Sequence, residues 1–371
     1  MRKKVLLLSK YSRQGASSRL RSLQYLPYLD KYGFDVTVQS LFDDKYLKHI
    51  YQGEAISNFS CFKYSWNRLV TLFGVFKYDL IWIEYEVFPY FFPIVERLLN
   101  LFGKAYVVDY DDAVFHNYDL SSNALVKRCL GGKIDDVMRH AGCVIVGNRY
   151  LAARARRARA SQIAVIPTVV DHGRYVARKS TAPERPVIGW IGSPSTQKYV
   201  VAMGEVLRRV CRETRARLML VGASPAVAEE LLGIDVEVLD WHEASEAELI
   251  RQMDIGIMPI PDGLWEKGKC GYKLIQYMAC AVPVVASPVG ANIDIVKGSR
   301  AGLLADSPEE WERALTQLLE SPRLRQRIGH AGRRAVESTY SLHVQAPILG
   351  KVFAKAIKDR GARTSVSHLL Q

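Results

Sequence analysis

Short apolar runs alternate with longer amphipathic stretches along the chain. Val5–Ser9 is an apolar run, and Arg19–Lys31 carries Leu20, Leu23, Leu26 and Leu29 at helical spacing before Gly33 ends it. Further strands are predicted at 34–38, 80–83, 105–109 and 143–146, with helices over 94–102 and 124–140 between them. The pattern restarts at Val187–Gly192 and continues with Arg217–Val221, Val236–Leu239, Ile255–Ile260 and Val282–Ala286. Strands separated by helices imply βαβ units and a parallel sheet, and near-continuous apolar strands imply a sheet covered on both faces.

The sequence therefore predicts an α/β protein of two doubly wound parallel-sheet halves. The polar stretch His172–Arg185 is the best linker. We place the domains at 1–170 and 171–345, with 346–371 as a C-terminal helix and tail folding back on the first domain. Thr364–Gln371 is polar and expected to fray. Ligands in such a fold lie at the carboxyl ends of the strands, and with two domains they are expected in the cleft between them.

Length and composition narrow the class. The 371 residues are 49% hydrophobic and 24% charged, an ordinary globular balance. No apolar run approaches the roughly 18 residues of a membrane span, and the four-residue run Val5–Leu8 is too short for a signal-peptide core. Six scattered cysteines without CxxC pairs argue against a zinc site or a disulfide scaffold and fit the cytoplasm. The net charge is +13. Residues 1–170 hold 24 Lys and Arg against 15 Asp and Glu, net +9, whereas 171–371 hold 27 against 23, net +4.

Three segments carry candidate chemistry. Gly268–Gly290 reads as a glycine-bearing loop, a helix starting near Gly271 and a strand after Pro283. Free N–H groups at a helix start bind anions. Lys269 and Lys273 oppose the helix dipole there unless an anion offsets them; solvated surface lysines are the plain alternative. The loop Ser12–Arg21 follows the first strand, with Gly15 allowing close backbone approach and Ser17 or Ser18 as an N-cap. It has neither the three glycines of a dinucleotide fingerprint nor the GK[ST] of a P-loop. Asp109-Tyr110-Asp111-Asp112 and His116 follow the fourth strand; carboxylates this dense either serve a ligand or cap the next helix. Glu84-Tyr85-Glu86 is a lesser pair at the third strand's end. Trp241, His242 and Asp254 line a nucleotide-base region by position.

The segment Gly271…Met278-Ala279…Pro283-Val284-Val285-Ala286 resembles the signature of family 4 (group 1) retaining glycosyltransferases of the GT-B fold. Ile166-Pro167…Asp171 and Gly302-Leu303-Leu304…Arg327 are similar to that family's interdomain and closing segments. The resemblance implies two Rossmann-like domains, an N-terminal acceptor domain and a C-terminal donor domain. It implies transfer of a sugar from a nucleoside-diphosphate sugar to a hydroxyl of a glycan or lipid-linked glycan, with retention, without a metal or other cofactor, in cell-surface polysaccharide or glycolipid synthesis. Departures are visible: Gln276 stands where the family has a ribose-binding glutamate, Gly268 where it has another glutamate, with Glu266 nearby, and Ser193 where it has an arginine.

Carried over residue by residue, donor phosphates fall to Gly15, Ser193, Thr196, Lys198, Lys269, Gly271, Tyr272 and Lys273, and ribose to Gln276. Asp112 and His116 become the catalytic candidates, and Arg19, Arg21 and Glu84 the acceptor contacts. Two readings share the architecture: a nucleotide-sugar 2-epimerase and a catalytically silent sugar-nucleotide binding module. The aromatic stretches Phe62–Phe76 and Val87–Phe102, with Arg149–Arg159, suit either core or docking on an anionic membrane at its inner face. No nucleic-acid-binding motif is present.

Overall fold

The computed structural model describes residues 2–51, 54, 57–178 and 184–369. It divides into a first unit, Met1–Thr168 with Gln345–Gln371, and a second, Val169–Val344. Positions 179–183 of the predicted linker lie outside the described residues.

The first unit is a six-stranded parallel sheet in the order β2-β1-β3-β4-β5-β6. Its strands are β1 (Lys3–Tyr11), β2 (Phe34–Phe42), β3 (Leu80–Glu84), β4 (Tyr106–Tyr110), β5 (Cys143–Val146) and β6 (Ile163–Val165). β1 and β3 align Val5 with Leu80 and Leu8 with Ile83. All four of these residues are fully buried, as a central strand covered on both faces requires. Phe353, from the helix Leu342–Leu369, packs edge-on against Trp82 and Phe34 and closes this core. The tail expected to fray continues as helix to Leu369, and residues 370 and 371 lie outside the described residues.

The second unit orders its strands β12-β11-β10-β7-β8-β9, again all parallel. They are β7 (Val187–Ile191), β8 (Arg217–Val221), β9 (Val236–Leu239), β10 (Ile255–Met258), β11 (Val284–Ala286) and β12 (Gly302–Leu304). Two apolar layers, one around Tyr277 and Met278 and one around Trp190 and Trp311, cover its faces. Strand order reverses between β1 and β3 in the first unit and between β7 and β10 in the second. These reversals are where open α/β sheets leave a crevice for a ligand.

Several helices differ from the sequence pattern. The helix expected over 19–31 is broken into Ala16–Arg21, a 3-10 turn and Leu26–Lys31, with Pro27 opening the last. That expected over 124–140 stops at Leu130 and restarts at Lys133, split by Gly131-Gly132; a side chain at Gly131 would strike the Lys127 carbonyl. The three-residue strands β6 and β12 are too short to show a period. No described helix is long and apolar enough to cross a membrane.

Candidate functional site

At the first reversal the polar groups turn inward. Gly15 caps the helix Ala16–Arg21 and lies against the Tyr11 side chain, so closely that a Cβ would sit 2.3 Å from it. Neither Ser17 nor Ser18, the two expected caps, is the N-cap; Ser18 donates to both oxygens of Glu84 at 2.7 and 2.9 Å and accepts from the Tyr11 N–H at 3.0 Å. Glu84 also accepts from the Lys10 N–H at 3.1 Å. It is buried, and burial pushes its carboxyl up to about 7. Tyr85 follows in the left-handed region at φ 63° and bonds Asp111 through its hydroxyl.

Arg21 is 2% exposed and clamps Asp109 Oδ1 at 2.7 and 2.9 Å, while Nη1 donates to the Ile166 carbonyl at 2.8 Å. Burial raises the Asp109 carboxyl to about 6, against the pull of Arg21. Arg19 donates from Nη1 to the Arg13 carbonyl at 3.1 Å. Arg19, Arg21 and Glu84, expected as acceptor contacts, are all buried, and these hydrogen bonds run to neighbouring groups of the same unit.

His116 has both ring nitrogens engaged, Nδ1 with Asp119 at 2.7 Å and Nε2 with Tyr150 at 2.9 Å. Arg154 fixes Asp119 at 2.7 Å and also pairs with Asp135, so this member of the expected basic surface cluster points inward. Asp112 is half-buried and accepts through its carbonyl from the Val114 N–H. Asp109 and Asp111 thus turn to different partners. Among the described residues no group of His, Cys, Asp or Glu is arranged to hold a metal ion. The sequence also missed the buried Glu86–Lys133 pair, to which the Tyr118 hydroxyl donates. Only the Glu84-Tyr85-Glu86 cluster signalled it.

The second reversal is built differently. Gly192, after β7, lies so close to the Trp190 ring that a Cβ would sit 2.2 Å from it. Gly222, after β8 at φ 79°, abuts the Gly192 carbonyl. Ser193 and Thr196 form a reciprocal capping box on the turn Pro194–Thr196. Lys198 is exposed, and the hydroxyl of the next residue, Tyr199, donates to Glu266 Oε1 at 2.6 Å. Lys269 donates its N–H to the Glu266 carbonyl at 3.0 Å, so Glu266 ties the loop after β7 to the loop after β10.

Gly271, at φ 66°, caps the helix Tyr272–Ala279, and a Cβ there would meet Ile295 at 2.4 Å. Lys273 sits 5.1 Å above the Trp190 ring. Ser193, Thr196, Lys198, Lys269, Gly271 and Lys273 therefore gather around the β7 and β10 ends. Gly290, at φ 52°, presses on the Lys267 carbonyl and closes the same loop. It ends the segment Gly268–Gly290 singled out in the sequence, but nothing local signals its contact with Lys267.

Two neighbours fall elsewhere. Tyr272 hydrogen-bonds Tyr175, whose own hydroxyl donates to Glu246 at 2.5 Å; Trp241 donates to the other Glu246 oxygen at 2.9 Å. Gln276 is buried one turn along the helix from Tyr272. Asp254, expected near the base, lies at the opposite, amino end of β10. It accepts from the Val187 N–H at 2.9 Å and pairs with Arg178 at 3.0 Å, because a residue preceding a parallel strand sits at its foot.

Residues 185–321 match the family model described as glycosyl transferases group 1. The matched residues lie within the second unit. A D-inositol 3-phosphate glycosyltransferase of Segniliparus rotundus is 29% identical over 209 residues, 48% of this chain and 45% of that protein. The chain thus spans about half the length of that relative. Sucrose-phosphate synthase from Thermosynechococcus elongatus aligns over 96% of this chain and 100% of its own at 18% identity, with a TM-score of 0.68. Anabaena Alr3699/HepE, in complex with UDP and glucose, aligns over 95% and 99% at 14% identity, with a TM-score of 0.69. This is the two-domain, Rossmann-like GT-B fold. At these identities the likeness is one of fold.

Proposed function

We propose that the chain is a glycosyltransferase that moves a sugar from a nucleoside-diphosphate sugar to a hydroxyl of a glycan or lipid-linked glycan. One observation carries this reading. The group 1 match coincides with the unit whose strand reversal gathers Gly192, Ser193, Thr196, Lys269, Gly271 and Lys273. Glycines let backbone N–H groups approach a diphosphate, and the hydroxyls and lysines supply donors and charge. The same groups stabilise the charge that builds on the departing diphosphate, which is where electrostatic catalysis acts most strongly.

In this proposal Gln276 meets the ribose, Lys198 extends the phosphate contact, and Asp112 stands nearest the sugar and acceptor. His116 holds its loop in place, with Gly15 as the loop's close-approach point. Transfer proceeds with retention and without a bound metal, in polysaccharide or glycolipid synthesis, by a cytoplasmic enzyme whose first unit touches the inner face of the membrane. HepE in complex with UDP and glucose supports a uridine donor.

The test is a thermal-shift screen against UDP-, GDP-, ADP- and CMP-sugars, followed by product analysis, since a bound ligand raises stability by mass action. Stabilisation by one donor with release of its nucleoside diphosphate supports the proposal. Gln276 and Ser193, which depart from the family pattern, favour one competing reading, a silent binding module; binding without turnover would establish it. Conversion of the free sugar nucleotide to its epimer would make the chain a 2-epimerase.

A further inference from the structure

The helix Asn58–Phe73 is turned inside out. A helix on a soluble protein buries its apolar stripe and shows its charges to water. Here Arg68 faces inward, buried at 1% exposure, and donates to the carbonyls of Ser9 (2.5 Å), Gln39 (3.2 Å) and Val87 (3.3 Å). Tyr64, on the same side, donates to Asp43 at 2.7 Å. The outward face carries Phe59, Phe62, Trp66, Leu69, Val70 and Phe73, spaced three and four residues apart, with Phe59 76% and Phe73 80% exposed.

The surface continues past the helix. Phe76 is exposed and meets Phe102, also exposed, with ring centroids 6.2 Å apart; Lys104 Nζ donates to the Phe76 carbonyl at 3.2 Å. At about 1.5 Å per residue the helix alone gives a ridge roughly 24 Å long. Scattered exposed apolar residues need no explanation, but a contiguous aromatic ridge marks an interaction surface.

Its charge says which kind. Residues 55–78 contain no Asp or Glu, and Lys63, Arg68 and Lys77 are their only charges. Lys63 and Lys77 are exposed at the rim of the ridge. Phenylalanine and tryptophan flanked by lysine suit the boundary between anionic headgroups and acyl chains, where apolar burial and charge attraction add. We infer that the outward face of Asn58–Phe73, with Phe76 and Phe102, docks the first unit on an anionic lipid bilayer. This names the surface for the peripheral contact in the proposed function and rests on that part of it. The docked element packs on β2, so it belongs to the rigid body of the unit rather than to a tether.

The experiment uses the full chain and vesicles of phosphatidylcholine with or without phosphatidylglycerol, without sugar donor. Co-sedimentation with the phosphatidylglycerol vesicles and a blue shift of tryptophan emission are expected, and Trp66→Phe should remove most of the shift. The surface triple variant F62S/W66S/F73S should bind these vesicles at least tenfold more weakly, and K63E/K77E should lose the preference for phosphatidylglycerol. Both should keep the wild-type melting temperature and sugar-nucleotide affinity. The inference is overturned if the wild-type chain stays in the supernatant or if the triple variant sediments equally well. It is also overturned if light scattering shows a dimer that the triple variant converts to monomer, which would assign the ridge to a second copy. Because no donor is present, failure of the transfer reading leaves these outcomes separately readable.

Discussion

The two strand reversals put polar groups to opposite uses. At the first, Arg21, Asp109, Glu84 and Ser18 are buried and satisfy one another, so their charges hold the loops in shape. At the second, the ends of the strands are lined with glycine backbone, hydroxyls and half-exposed lysines. A buried pair spends its charge on its partner, whereas a glycine-lined turn leaves backbone N–H groups near the surface. Ionisable residues at the carboxyl end of a strand are therefore weak evidence of ligand contact until their burial is known.

Removing Arg21 tests this contrast most severely. Arg21→Ala strands the Asp109 carboxylate in the interior, and breaking a buried pair costs about 3–5 kcal/mol. Urea unfolding should show a loss of that size. A stability within about 0.5 kcal/mol of wild type would return Arg21 to the surface and to ligand binding.

Glu84 gives the contrast a pH dependence. Burial raises its carboxyl from 4.5 to about 7 in the folded protein. The unfolded chain loses its proton near the ordinary value, so the stabilising contribution is complete below about pH 4.5 and disappears as pH rises through 7. Glu84→Gln stays neutral, and its amide can still accept from the Lys10 N–H and donate to Ser18. Its melting temperature relative to wild type should rise between pH 5 and pH 8, by the equivalent of up to roughly 3 kcal/mol at about 1.4 kcal/mol per pH unit. Parallel pH profiles for the two proteins would show that Glu84 titrates normally and sits in water.

For the second reversal the comparison predicts an effect on binding and none on folding. Lys273→Ala should weaken nucleoside-diphosphate affinity roughly tenfold, on the order of 1.4 kcal/mol. Unchanged affinity by titration calorimetry would remove Lys273 from the phosphate site.

How much of this was legible in the sequence follows from the range of each interaction. The central strands announced themselves because a strand buried on both faces is apolar throughout, as Val5–Leu8 and Leu80–Ile83 are. Pro27 and Gly131-Gly132 are local breakers, yet leucine spacing runs straight across Pro27 and masks the break. Arg21 and Asp109 are 88 residues apart, and nothing local distinguishes a clamped arginine from one facing a ligand. The helix Asn58–Phe73 exposes a similar ambiguity: period 3.6 reveals a stripe but not which way it faces. The glycines fared better. Gly271 was readable because its left-handed backbone sits inside a recognisable signature, whereas Gly290 depends on a contact with Lys267 that no spacing encodes.

The smallest expected effect lies at His116, where the first unit's network meets the proposed chemistry. Tyr150→Phe removes the hydroxyl from Nε2 and leaves the Asp119 contact at Nδ1 intact. A single hydrogen bond of this kind contributes about 1 kcal/mol, so urea unfolding should register a loss of that order. Donor affinity should not move, because the lysines and, apart from Gly15, the glycines assigned to the diphosphate belong to the second unit. Turnover separates the two roles of the imidazole. If His116 only orders its loop, the rate with saturating donor and acceptor should fall less than about tenfold, in line with the stability loss. A larger fall at unchanged affinity would mean that Nε2, held by Tyr150, acts on the reacting groups, and the division between a bracing first unit and a ligand-facing second would fail at this residue.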